Sequence, residues 1–198
     1  MCIRDRSGDV VLTGSRLVRS TEDDDAERRE TRRTRKVTAI LHTGMPIRHW
    51  DHELGAESGR LLRLAPGAGT PDDLVPEAAH ELRQAEYSVS ADGATVATSW
   101  RPRGRRGAPL SAVALVAVAT GKLTVLAADG EYGYEYDAPA ISPDGRLVAA
   151  SRVFDGAFER PVELGLAILS TEPGHEAAPV VADLGEVTPT SWAWSPAT

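Results

Sequence analysis

A four-residue turn that returns at a fixed spacing constrains this chain most. Ser142-Pro143-Asp144-Gly145 follows an apolar run ending at Ile141 and precedes a second run, Leu147-Val148-Ala149-Ala150. Proline presets φ at the second turn position, aspartate bonds its own backbone, and glycine accepts the φ > 0 that closes a tight hairpin. Ser90-Ala91-Asp92-Gly93 is another copy, set between Tyr87-Ser88-Val89 and Thr95–Trp100. A third opens at Trp192-Ala193-Trp194-Ser195-Pro196. An apolar residue precedes the serine each time: Val89, Ile141 and Trp194. Ser90 to Ser142 is 52 residues, and Ser142 to Ser195 is 53. A period of this size, with a hairpin and two further strand-like runs per unit, predicts an all-β chain. It predicts a partial β-propeller of four-stranded blades, about three of them plus the start of another.

Gly8–Arg16 matches the second half of the hairpin, with Val11 in the place of Val96 and Val148, and its first strand is missing. The blades are expected at about 7–84, 85–136 and 137–188, with 189–198 opening the next. Such a chain reads as a piece of a larger propeller, entered inside one blade and left inside another. The opening Met1-Cys2-Ile3-Arg4-Asp5-Arg6 resembles the translation of a transposase adapter used in DNA library preparation. It is expected to stand outside the fold, as a scar does.

Residues 19–36 interrupt the first unit with acids (Glu22, Asp23, Asp24, Asp25, Glu27) and then bases (Arg28, Arg29, Arg32, Arg33, Arg35, Lys36). This order suits a short helix whose charges oppose its macrodipole, with no apolar face to bury. It reads as a solvated insertion or as a docking surface. Pro46–Gly55 crowds His49, Asp51, His52 and Glu53 beside His42, which raises a metal reading. On one strand, 49, 51 and 53 share a face and Trp50 and His52 share the other, so no face carries three ligands in order. A blade segment with Trp50 buried is the simpler expectation. Arg48, Trp50, Asp51 and His52 are kept as residues facing substrate or an interface. The arginines of 101–109 suit a phosphate or carboxylate, or a solvated connection. Tyr132, Tyr134 and Tyr136 alternate, which puts them on one strand face, packed or lining a channel.

Apolar residues make up 41 % of the chain, enough for a core. The single cysteine is Cys2, so no disulfide framework or thiolate metal site is expected. No apolar run reaches membrane-spanning length, and the net charge of −7 argues against a general nucleic-acid binder. There is no Gly-x-Ser-x-Gly, no phosphate-binding loop, no His-Glu-x-x-His and no calcium loop, so no catalytic residue, metal site or cofactor is nominated.

The Ser-Pro-Asp-Gly repeat followed by Leu147–Arg152 resembles the propeller repeats of prolyl-oligopeptidase-type serine peptidases, in their acylaminoacyl- and dipeptidyl-peptidase branch. Pro46-Ile47-Arg48-His49-Trp50-Asp51-His52-Glu53-Leu54-Gly55 is similar to a stretch of bacterial members of that branch. In that family the propeller precedes an α/β-hydrolase domain with a Ser-Asp-His triad and restricts access to short peptides. The resemblance implies a non-catalytic, substrate-gating propeller portion. Its partners would be a peptide substrate and its own C-terminal hydrolase domain, in the cytoplasm. The repeat also resembles TolB-type and WD-repeat propellers, which scaffold protein partners, so that alternative stays open. The structural-repeat residues under either reading are Ser90, Asp92, Gly93, Ser142, Pro143, Asp144, Gly145, Trp194, Ser195 and Pro196.

Overall fold

The computed structural model describes residues 2–4, 8–42, 48–49, 52–53, 55–78, 80–103, 110–128, 133–172, 180–182, 184, 189 and 191–195; at 2–4, 48–49 and 52–53 it describes the backbone alone. Along the chain come β1 (Cys2–Arg4), β2 (Val10–Leu17), α1 (Glu22–Thr34), β3 (Arg48–His49), β4 (His52–Glu53), β5 (Glu57–Leu64) and β6 (Asp72–Asp73). Then follow β7 (Tyr87–Val89), β8 (Thr95–Trp100), β9 (Ala112–Ala117) and β10 (Leu123–Ala127). The last are β11 (Glu135–Ile141), β12 (Leu147–Phe154), β13 (Glu163–Ser170) and β14 (Val180–Val181). They form three antiparallel four-stranded sheets, in the orders β1-β2-β5-β6, β7-β8-β9-β10 and β11-β12-β13-β14, with β3 and β4 as a separate pair. The described chain is mostly sheet.

The sheets bury their faces against one another. Side chains alternate across a strand, so each sheet has a front, toward the next sheet in chain order, and a rear. Val11 and Leu61 from the first sheet meet Val96 and Val116 from the second in one apolar cluster. Ala97 and Val113 from the second meet Val148, Ala150 and Leu169 from the third in another. The second sheet is thus buried on both faces. That explains the unbroken apolar run Ala112-Val113-Ala114-Leu115-Val116-Ala117, where a one-sided sheet would alternate with polar residues.

The two complete turns are superposable in their bonding. Gly93 N donates to Ser90 O at 2.9 Å, and Gly145 N to Ser142 O at 2.9 Å. Both glycines have positive φ, 72° and 73°. Because the serine carbonyl serves the turn, the next strand's amide takes the hydroxyl: Thr95 N to Ser90 Oγ and Leu147 N to Ser142 Oγ, each 3.0 Å. The same hydroxyls donate to Asp92 and Asp144 at 2.6 Å. Those aspartates accept from Ala94 N and Arg146 N, and with the serine bond leading, both carboxyls are held below their ordinary range. Ser142→Ala should therefore leave the Leu147 amide without its acceptor and cost about 1–2 kcal/mol in denaturant unfolding. A variant as stable as the parent would show the hydroxyl to be dispensable.

The charged insertion forms α1, which buries none of its residues. Acids fill its first turn and Arg32 and Arg33 its last, as the macrodipole favours. It is held to the first sheet by polar contacts. Asp25 accepts from Leu17 N at 2.7 Å and from Ser20 Oγ at 2.5 Å, while Arg29 pairs with both Asp25 and Glu57.

Several expectations change. Val11 lies on the front of its sheet, whereas Val96 and Val148 lie on the rear of theirs. The alignment that equates them is one residue out of step, and one residue moves a side chain to the opposite face. Cys2–Arg4 does not stand apart: it pairs with Val10–Leu12 and fills the first-strand position that the sequence leaves empty. The 48–53 stretch is not a single strand but a short ladder, Arg48 opposite Glu53 and His49 opposite His52. Pro76–Leu82 contains neither helix nor strand among its described residues, Phe154 closes β12, and β14 is confined to Val180–Val181.

Candidate functional site

β7 and β11 are each the edge strand of their sheet. Where these edges meet residues 191–192 and Thr13 of β2 there is a cavity of about 490 Å³. Its wall is apolar along Ala138, Pro139 and Ala140, and its polar groups are Thr13, Glu86 and Ser191, with the half-buried indole of Trp192 beside them. Tyr87 fixes the floor by donating its hydroxyl to Val11 O at 3.0 Å. Trp194 donates Nε1 to Ala140 O of that wall at 2.7 Å. A carboxylate, hydroxyls and an indole over a small-residue wall suit recognition of a short polar chain with hydrogen-bond donors.

The wall carries backbone strain. Ala138 has φ 51°, and the ladder of β11 with β12 shifts register between Asp137 and Ala140. An L-residue in the left-handed region costs about 1 kcal/mol, and it precedes Pro139, which narrows its choices further. Asp137 supports the bulge from below. Its Oδ1 accepts from Ala138 N at 2.9 Å and from the Ser99 hydroxyl, and its Oδ2 pairs with Arg101 at 2.7 Å. Arg101 also donates to Ser111 Oγ at 3.0 Å and to Arg83 O at 3.2 Å. The first arginine of the basic loop is therefore bound into the framework of the groove. Arg103, two residues on, is exposed, and Arg105 and Arg106 lie outside the described residues.

Beyond the bulge, Tyr134 is clasped by two arginines. The Arg152 guanidinium lies 3.0 Å from its ring centroid and that of Arg160 lies 5.0 Å away, while Phe154 packs at 5.8 Å. The Tyr134 hydroxyl donates to Glu163 at 2.5 Å, and Arg160 grips Glu163 at 2.6 Å. Arg160 first and Tyr134 second hold the Glu163 carboxyl down, from the ordinary 4.5 to about 2. A depressed carboxylate stabilises above its unfolded value and loses that effect as pH falls through the folded one. The clasp should thus persist at pH 4, with its stabilising effect declining below about 4.5, and open as pH falls through about 2. The carboxyl carbon of Glu163, followed by NMR, should titrate near 2; a midpoint near 4.5 would show that the clasp does not form. Tyr136, on β11, is 1 % exposed and belongs to the core. Tyr134 precedes the strand and packs against that core, and Tyr132 lies outside the described residues.

Ser90, Asp92, Gly93, Ser142, Asp144 and Gly145 all sit in the two turns, with Pro143 completing the second. Trp194 and Ser195 are described without strand, and Pro196 lies outside the described residues, as do Trp50 and Asp51. Arg48 and His52 are backbone members of the β3–β4 ladder. Among the described residues no three His, Cys, Asp or Glu side chains gather for a metal ion. None of their helices is long and apolar enough to cross a membrane. The groove residues Glu86, Asp137 and Ala138 carry no motif; the one signal for them is the Ala138-Pro139 pair inside an otherwise regular strand. Neither a family model nor a curated protein sequence matches the chain.

Proposed function

We propose that the three sheets are consecutive blades of a β-propeller and that this propeller gates short peptides into a serine peptidase of the prolyl-oligopeptidase type. The observation that carries the propeller reading is a repeated step between units. Ile141 N donates to Ser88 Oγ at 2.7 Å, and Trp194 Nε1 donates to Ala140 O at 2.7 Å. Trp194 stands 53 residues after Ile141, and Ala140 stands 52 after Ser88. Equivalent residues therefore join the second sheet to the third and the third to the segment 191–195, as blades follow one another around a central axis.

The groove at the first-strand edges supports the gating role, since first strands line the axis of a propeller. A short peptide offers amide donors to Glu86 and Thr13 and side chains to Trp192. The piece filters and positions, and hydrolysis belongs to a separate α/β-hydrolase domain in the cytoplasm. Titrating the chain with tri- to pentapeptides should change tryptophan fluorescence saturably, with binding weakened at least about tenfold in Trp192→Ala. Aminoacyl and dipeptidyl chromogenic substrates should not be cleaved. An unchanged Trp192→Ala curve would remove the groove from the reading, and turnover by the chain alone would overturn its non-catalytic role.

The exposed α1, held by polar contacts alone, favours a second reading as a TolB-type scaffold. Peptide-independent capture of a protein partner, lost when residues 22–34 are replaced by a short Gly-Ser linker, would support it over gating.

A further inference from the structure

We infer that a cavity between the first sheet and the start of α1 binds a small aliphatic amino acid as its zwitterion, carboxylate inward and ammonium outward. The cavity has a volume of about 630 Å³ and shares no lining residue with the groove, so the site is independent of the peptidase reading.

Three charged side chains form its floor: Arg16 of β2, Arg60 of β5 and Asp73 of β6. Arg60 pairs with Gly14 and Asp73 with Leu62 in the ladders, and alternation along β2 and β5 then puts all three on one side of the first sheet. Their side chains are 13 %, 6 % and 8 % exposed. Two guanidiniums over one carboxylate give this floor a surplus positive charge. Burying such a charge is costly unless an anion answers it.

The bonding within the floor is loose. Arg16 reaches Asp73 Oδ2 at 3.6 Å, and Arg60 Nε reaches the same oxygen at 3.7 Å. Charge-assisted bonds between such groups run at about 2.7–2.9 Å. Arg16 stretches to Glu22 at 3.5 Å, and the buried Arg60 Nε makes no hydrogen bond among the described residues. A ligand carboxylate on Arg16 supplies the second anion, and Asp73 is then free to close on Arg60 Nε.

The rim carries the opposite balance. Glu22, Glu77 and Glu81 stand there against Arg19 and Arg103, all exposed except the half-buried Glu81. The field therefore runs from positive at the floor to negative at the mouth. That gradient orients a zwitterion and disfavours a simple anion such as phosphate. Val18, Pro76 and Ala78 add an apolar wall that suits an aliphatic side chain. The first turn of α1 takes no part in anion binding, because Thr21 N already donates to Asp24 at 2.7 Å and four acids fill that turn.

Calorimetric titration of the 198-residue chain with L-alanine, L-valine and L-leucine tests this. At least one should bind saturably, with Kd below about 1 mM. Its N-acetyl derivative lacks the ammonium and its amide lacks the carboxylate, and each should bind at least about tenfold more weakly. Arg16→Gln should weaken binding by at least about tenfold, and Glu77→Gln should weaken it without altering the melt. If Arg16→Gln does not melt cooperatively, Arg16→Lys takes its place; it keeps the charge without the fork and should also lose affinity. Trp192→Ala should bind as the parent does. Absence of saturable heat with all three amino acids would overturn the assignment, as would an N-acetyl derivative or inorganic phosphate bound as tightly as the amino acid. Unchanged binding in the Arg16 variant, or its loss in Trp192→Ala, would place the ligand elsewhere and overturn it equally.

Discussion

Gly59→Ala should strongly destabilise the junction between this protein's first and second sheets. A Cβ placed on Gly59 meets Leu82 O at 2.3 Å and Leu82 C at 2.8 Å. Both are backbone atoms, so no rotamer change relieves the contact. The segment they belong to is itself pinned, because Leu82 is 3 % exposed in the cluster between the sheets and its carbonyl accepts from Ala85 N at 3.2 Å. Either β5 or the 80–85 turn must move, and both are packed. Overpacking of a core by one methyl costs about 1–3 kcal/mol where side chains yield; against backbone the loss should reach at least about 3 kcal/mol. Against a total of about 5–15 kcal/mol, that is a large fraction of the fold's stability. Urea unfolding gives the number directly. A midpoint within experimental error of the parent's would mean that the loop and β5 are not in contact.

Arg60→Ala should cost about as much, for the opposite reason: it removes a group where Gly59→Ala adds one. Arg60 is 5 % exposed. Its NH1 donates to Pro76 O at 3.0 Å and to Ala78 O, and its Nε faces Asp73 Oδ2 at 3.7 Å. Truncation strands two carbonyls and leaves Asp73 paired with Arg16 at 3.6 Å. Breaking such a buried constellation by deleting one partner costs about 3–5 kcal/mol. Arg60→Lys should recover little of it. A single ammonium cannot span two carbonyls and a carboxylate as the planar guanidinium does. Full recovery by lysine would show that charge alone matters here and that the fork geometry does not.

Both predictions concern the segment 74–86, which ties the first sheet to the second, and it is here that the sequence is least informative. Pro76–Leu82 has no hydrophobic period, so its sequence specifies neither helix nor strand. In the structure it is a series of turns whose carbonyls are satisfied by an arginine from β5 and whose path is set by the missing side chain of Gly59. Nothing local announces either role. Arg60 reads as one more polar position in Glu57–Leu64, and Gly59 as a strand glycine without a reason.

The repeated turns are the reverse case. Serine, aspartate and glycine act there on atoms within five residues, so their bonds are written in the local chain: Ser90 to Thr95 and Ser142 to Leu147 use the same hydroxyl in the same way. The strands flanking them and the helical insertion with its opposed charges are legible for the same reason. The groove is not. Thr13, Glu86, Ala138 and Trp192 come from four separate parts of the chain, and the edge strands β7 and β11 of two sheets help bring them together.

The error over Val11 marks the boundary between the two kinds of information. Matching Gly8 to Gly93 and Gly145 places Val11 beside Val96 and Val148, and a side-chain period of two makes a single missing residue enough to reverse the face. Only the packing of Val11 against the second sheet decides which way it points. By itself, the sequence determined the turns, the strands that leave them, their period and the solvated helix, because short-range hydrogen bonds and alternation set these. The tertiary structure alone decided which faces meet, where backbone approaches backbone, how Asp137 and Arg101 brace the bulge, and that Cys2–Arg4 completes the first sheet. Those outcomes depend on contacts between residues far apart in the chain, whose free energy exists only once the sheets have stacked.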